Sequence, residues 1–275
     1  MDGNELGRLG VWEQRTAGWL REPDTMRELV DLGFGALWLG ASPPADLKFP
    51  EELLARSSRL VVATGIVNVW EASPGETAAS FRRIGSDRFL LGVGAGHPHA
   101  VGDAYVRPYD KLVGYLDTLD AGGVPKQARA LAALGPRVLR LAAERTAGAH
   151  PYLVTPEHTA RAREILGTGP LLAPEQKVVL ETDPAVARRI ARERLGPYLS
   201  MVNYANNWRR LGFTDDDLAG GGSDRLVDAL IVWGDEEAIR SRVAQHHAAG
   251  ADHVALQVLN RDKPATLRRL APALV

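Results

Sequence analysis

Short β-rich runs alternate with longer stretches at helical spacing along almost the whole chain, and this alternation constrains the fold more than any other feature. Strands are expected at Arg8–Trp12, Ala36–Leu39, Leu60–Val69, Arg88–Val93, Ala128–Ala133, Pro151–Val154, Lys177–Glu181 and Asp252–Leu259. Helices are expected at Glu22–Leu32, Pro50–Ser58, Pro74–Ile84, Tyr109–Asp120, Pro136–Thr146, Pro156–Leu166, Asp183–Leu195, Asp235–Ala249 and Pro264–Leu270. Several of these carry Pro in the first turn, where its missing N–H costs nothing. Continuous apolar runs such as LVVATGIVNV suit strands covered on both faces, the mark of a parallel sheet. Eight βα units within 275 residues therefore predict an α/β chain folded as a single-domain TIM (β/α)8 barrel. A doubly wound open sheet would place a glycine-rich turn after its first strand, where this chain has Trp12-Glu13-Gln14-Arg15. Residues 203–231, with a helical piece around Trp208, a Gly220-Gly221-Gly222 break and a helix from Asp224, read as an insertion before the last unit.

Composition removes several functions. The formal charge of −1 gives no electrostatic case for nucleic acid or an anionic membrane. The absence of cysteine excludes thiolate metal sites, thiol nucleophiles and disulfides. Met1 to Arg8 lacks the apolar core of a signal peptide, and no uncharged run reaches membrane-spanning length, so a cytoplasmic protein is expected. No G-x-S-x-G elbow and no P-loop occur. His97-Pro98-His99 has the H-x-H form of metal-dependent amidohydrolases, but His150, placed before its strand, and Asp252-His253, at the start of theirs, would lie at the opposite rim. His158 is then the only other candidate ligand, and no metal site is expected.

Barrel active sites are built from the loops at the carboxyl ends of the strands. Gly92, Gly94 and Gly96 alternate at one such end, where missing side chains would let a planar ring or phosphate approach the backbone; a plain tight turn needs glycine equally. Gly135-Pro136 opens a helix whose free N–H groups and dipole favour an anion. Trp12, Trp70 and Tyr109 could wall an apolar pocket or simply pack in the core.

LGRLGVW at the start, VVATGIVNVW, DRFLLGVGAGHP and ALGPRVLRLAAERTAGAHPYLVTP occur in this order and span almost the whole chain. Together they resemble the luciferase-like monooxygenase superfamily of flavin- and deazaflavin-dependent TIM barrels, and most closely its actinobacterial branch that uses the deazaflavin coenzyme F420. The resemblance implies an oxidoreductase passing hydride between F420 and a small organic substrate, and a homodimer. It implies cofactor contacts at Gly65, Ile66, Asn68, Gly94, Ala95, Gly96, Gly135, Pro136 and Thr155, with a non-prolyl cis peptide at Gly65–Ile66. The chain departs from the glucose-6-phosphate dehydrogenases of that superfamily: Ala41-Ser42 stands where they carry Asp-His, and His97 where they carry a catalytic Glu. That substrate is therefore not expected, and His97 becomes the candidate general acid or base. Two alternatives remain: an FMN-dependent monooxygenase, and a deazaflavin-binding protein without catalysis.

Overall fold

A computed structural model of the chain describes residues 6–97, 102 and 105–275. Eleven strands form a curled sheet: β1 (Leu9–Gln14), β2 (Ala36–Gly40), β3 (Val61–Thr64), β4 (Val67–Asn68), β5 (Phe89–Gly94), β6 (Arg129–Leu131), β7 (Gly148–Ala149), β8 (Leu171–Leu172), β9 (Glu175–Leu180), β10 (Ile231–Gly234) and β11 (Val254–Val258). Their order is β10-β9-β11-β1-β2-β3-β5-β6-β7-β8, with β4 beside β5. Every ladder is parallel. The helices are α1 (Thr25–Asp31), α2 (Lys48–Ala55), α3 (Pro74–Ile84), α4 (Pro108–Ala121), α5 (Pro136–Arg145), α6 (Pro156–Leu166), α7 (Pro184–Leu199), α8 (Val202–Arg210), α9 (Asp215–Leu218), α10 (Asp224–Leu230), α11 (Glu236–Ala248) and α12 (Lys263–Leu274).

β8 and β9 are one run of chain bent at Ala173-Pro174. On one edge Ala173 N–H donates to Ala149 O, and on the other Ala255 N–H donates to Pro174 O. This run thus touches both the β7 end of the strand path and the β11 side of it. The period of two along the strands sorts side chains into two layers. Leu9, Val11, Leu37, Leu39, Val62 and Leu91 pack with the surrounding helices. Trp12, Ala36, Trp38, Ala63, Leu90, Ala130 and Ala255 form a separate cluster inside the curl.

Three expectations are corrected. Pro151–Val154 is not a strand; the pairing residues are Gly148–Ala149, whose composition carries no β signal, and Leu153 has a φ of 53° that no strand accommodates. His150 consequently follows its strand and stands at the carboxyl end, not the opposite rim. Ile231–Gly234, where the insertion was expected to end, begins a strand that pairs with Lys177–Leu180.

Among the described residues four histidines are buried and held neutral. Burial lowers His150, His158 and His253 to about 4 and His246 to about 3. Each finds a neutral partner instead of a carboxylate, as in Thr159 Oγ1 at 2.9 Å from His246 Nδ1 and Gln176 Oε1 at 2.9 Å from its Nε2. Between pH 6.5 and 4 the unfolded chain binds protons that the native histidines refuse, so stability is full above pH 6.5 and falls below it. The slope is up to about 1.4 kcal/mol per pH unit for each histidine. Melting midpoints recorded from pH 8 to 4 should be level at first and then drop steeply below 6.5; a flat profile to pH 4.5 would contradict the neutral-histidine core.

Candidate functional site

A cavity of about 560 Å³ opens at the carboxyl ends of the strands, a volume suited to a cofactor or drug-sized ligand. Its floor is made by Trp12 on β1, the Gly65–Ile66 bulge between β3 and β4, and His150 after β7. Ala95, Gly96 and His97 after β5, and Leu134 and Gly135 after β6, form its sides. Pro197, Tyr198, Met201, Asn203 and Tyr204, from the end of α7 and the start of α8, form a roof.

The bulge has a local cause. β3 pairs with β5 as far as Ala63, and β4 resumes pairing at Val67. Between them the Thr64 hydroxyl replaces the strand ladder, accepting from Gly92 N–H at 2.8 Å and donating to Gly92 O at 2.8 Å. The Gly65–Ile66 peptide is cis, as the sequence resemblance implies. Asn68 is fixed by donating to Glu71 Oε1 at 2.9 Å and accepting from Trp70 N–H at 3.1 Å.

The glycines in and after β5 answer to protein neighbours. A Cβ on Gly92 would stand 1.9 Å from Thr64 O, and one on Gly94 would stand 2.9 Å from both Ala132 Cβ and Ile66 Cγ1. Gly96 has a φ of +57° and faces the Asn68 amide. Close packing inside β5 thus accounts for Gly92 and Gly94, which do not line the cavity, and a turn at positive φ accounts for Gly96, which does.

Gly135 is the N-cap of α5, with an extended φ of −91° and no side-chain cap. Pro136 contributes no N–H and lies outside the cavity lining, and Val138 and Leu139 N–H both donate to Gly135 O, so Arg137 N–H is the donor left at this helix start. The Arg137 guanidinium stacks 3.6 Å from the Tyr109 ring centroid, and Arg210 Nη2 would lie 3.8 Å from a Cβ on Gly135. Arg161 donates to Arg210 O at 2.7 Å, adding a third cation at this rim. Thr155 is occupied otherwise: its hydroxyl caps α6 by accepting from His158 N–H, and it does not line the cavity. His158 Nε2 bonds Leu134 O at 2.9 Å, and no cluster able to hold a metal occurs among the described residues.

His97 is half-buried against the roof, 5.2 Å from the Tyr204 centroid and edge-on to Tyr198 at 6.4 Å. Pro98 and His99 lie outside the described residues. Of the three aromatics left open between pocket wall and core, Trp12 and Tyr109 line the cavity, whereas Trp70 packs on Tyr105. The roof tyrosines had no motif to reveal them: Tyr204 lies in the segment read as an insertion, and Tyr198 lies between that segment and the helix expected at Asp183–Leu195. Beneath them Tyr152 donates to Gln257 Oε1 at 3.0 Å and accepts from Tyr198 at 3.3 Å. Lys177 sits under the Tyr152 ring, 3.6 Å from its centroid, and donates to the buried Glu175 at 3.1 Å. Burial lowers the Lys177 ammonium to about 8 despite that partner.

Gly92→Ala should lower the melting midpoint by several degrees, at about 2–4 °C per kcal/mol, since overpacking costs about 1–3 kcal/mol and here meets backbone. An unchanged midpoint would mean that the β3–β5 contact is looser than described.

No protein-family model and no curated protein matches the chain. Among solved structures it is similar to an F420-dependent secondary alcohol dehydrogenase in complex with an F420–acetone adduct, at 12% identity and a TM-score of 0.75, covering 98% of this chain and 99% of that one. It is also similar to the coenzyme F420 dependent tetrahydromethanopterin reductase of Methanopyrus kandleri, at 14% identity, a TM-score of 0.68 and 98% of each chain. A third likeness is to the oxygenating constituent of 3,6-diketocamphane monooxygenase of Pseudomonas putida in complex with FMN, at 16% identity, a TM-score of 0.63, and 98% of this chain and 99% of that one. Over almost its whole length the chain therefore has the fold shared by these two F420-dependent enzymes and the FMN-containing monooxygenase.

Proposed function

We propose that the protein is an F420-dependent oxidoreductase that passes hydride between the deazaflavin and a small organic substrate. On this reading β8–β9 count as one of eight barrel strands, and α8 to β10 are an elaboration before the last unit. The observation that carries the reading is the pairing of an aromatic-walled cavity with an uncapped helix N-terminus at its rim, flanked by Arg137 and Arg210. The residues fit the cofactor at both ends. A planar ring is accommodated between the Gly65–Ile66 bulge and the roof tyrosines, and a phosphodiester meets the Arg137 N–H and the guanidinium groups. When bound, the deazaflavin supplies hydride chemistry at its central ring.

The chain's own contribution is to orient and enclose. Ile66, Ala95 and Gly96 line the cavity from below and the side and would limit the position of a bound ring. Tyr198 and Tyr204, which line the cavity from above, would shield a bound ring from water. His97 faces the same space and is the group we assign to hold or deliver a proton, or to hydrogen bond the substrate. Ala41 and Ser42, both at positive φ and both lining the cavity, bring no acid or base where an Asp-His pair could stand. FMN also carries a phosphate and a tricyclic ring, and the FMN-containing neighbour gives the monooxygenase reading its support.

Two substitutions test this function. Gly135→Asp places a carboxylate where it caps α5 and meets Arg210, at a φ any residue adopts. Its melting midpoint should hold or rise, while F420 affinity read by fluorescence should fall about tenfold or more, on the order of 1.4 kcal/mol. Wild-type affinity in a stable variant would move the phosphate elsewhere. His97→Ala should leave F420 affinity near normal and lower turnover by about 10²–10⁴-fold if the imidazole is a general acid. Unchanged steady-state rates would assign the proton to another group.

A further inference from the structure

Two polar atoms at the cavity floor have no hydrogen-bond partner among the described residues: Trp12 Nε1 and His150 Nε2. Both side chains are almost fully buried, at 5% and 2% exposure. Both line the cavity and converge on one spot, 2.9 Å and 3.1 Å from where a Cβ on Gly65 would stand. Glycine at that position leaves the space between them open.

The character of each atom is fixed by its surroundings. An indole N–H only donates. His150 Nδ1 lies 2.7 Å from Ala173 O, and a carbonyl only accepts, so the proton sits on Nδ1 and Nε2 presents a lone pair. Burial lowers His150 to about 4, so the imidazole stays neutral at ordinary pH. The ring cannot turn away, because it stacks on Trp38 at 4.1 Å and 11°. Trp12 is held in turn against Tyr152 at 5.3 Å.

We propose that Trp12 and His150 form a neutral donor–acceptor subsite that receives an uncharged group able to both accept and donate: a hydroxyl, or the adjoining N–H and C=O of a lactam edge. A carboxylate or phosphate would set its lone pairs against Nε2, and an ammonium would set its protons against the indole N–H. The subsite therefore selects neutral ligands at the floor, while the arginines at the rim select the anion. It rests on the F420 reading only in that the lactam edge could belong to the cofactor ring; a substrate hydroxyl is the other source.

The test uses the full chain and two near-isosteric variants, His150→Phe and Trp12→Phe, with His150→Gln as a variant that keeps an acceptor. Riboflavin, which has the lactam edge but no phosphate, is titrated beside N3-methylriboflavin, which lacks the ring N–H. Cyclohexanol binding to F420-saturated protein is followed by ligand-observed NMR. If the cofactor edge occupies the subsite, wild type should prefer riboflavin about tenfold, and His150→Phe should lose that preference. Trp12→Phe should weaken riboflavin and N3-methylriboflavin alike, and His150→Gln should recover part of the discrimination. If a substrate hydroxyl occupies it, the riboflavin titrations should not change, and cyclohexanol binding should be lost in both phenylalanine variants. Unchanged binding of all probes in folded variants would overturn the subsite, leaving the two atoms to water. If the wild type binds neither F420 nor riboflavin, and the protein alone binds cyclohexanol in a manner lost in His150→Phe, the F420 reading falls and the subsite stands.

Discussion

The cavity floor depends on how the inside of the curled sheet is filled. Trp38, fully buried, stacks on His150 and donates through Nε1 to His253 Nε2 at 3.1 Å. His253 passes the constraint on, its Nδ1 lying 2.7 Å from Gly7 O. An indole of this size fits only because neighbouring inward positions are small, among them Ala36, Ala63, Ala130 and Ala255. The rings fill the lower half of the curl and stop at Trp12 and His150. The cavity begins above that level, bounded by Tyr152 and the roof tyrosines.

Two kinds of chemistry are consequently kept apart. The floor is apolar and neutral, with histidines that burial holds uncharged. The rim after β6 is cationic, with Arg137, Arg161 and Arg210 around an uncapped helix start. A ligand with a planar, uncharged ring and an anionic tail meets complementary surroundings at each end. The roof from α7 and α8 completes the enclosure, and its tyrosines rest on Tyr152, under which the Lys177–Glu175 pair is sealed.

Much of the fold was legible because apolar periodicity marks buried strands and amphipathic helices directly. LVVATGIVNV and FLLGVG announced β3 to β5, and Pro after a capping residue announced α3, α6 and α7. Gly148–Ala149 stayed hidden, because two small residues pair as a strand only when the sheet on either side requires it. That miss displaced His150 to the wrong rim. β10 was hidden for a similar reason: its four residues follow α10 without a break. Within the site, Gly65, Ile66, Asn68, Ala95, Gly96, His97 and Gly135 do converge on one cavity, whereas Gly94, Pro136 and Thr155 support its walls from outside the lining. The roof could not be read, because Tyr198, Asn203 and Tyr204 reach the cavity through tertiary packing of helices that carry no motif.

The most direct test of this account is a crystal structure of the protein soaked with F420. It should show the ring above Gly65–Ile66 beneath Tyr198 and Tyr204, with phosphate oxygens within hydrogen-bond distance of Arg137 N–H. A ring bound outside this cavity, or a phosphate remote from the start of α5 with the cavity empty, would contradict it.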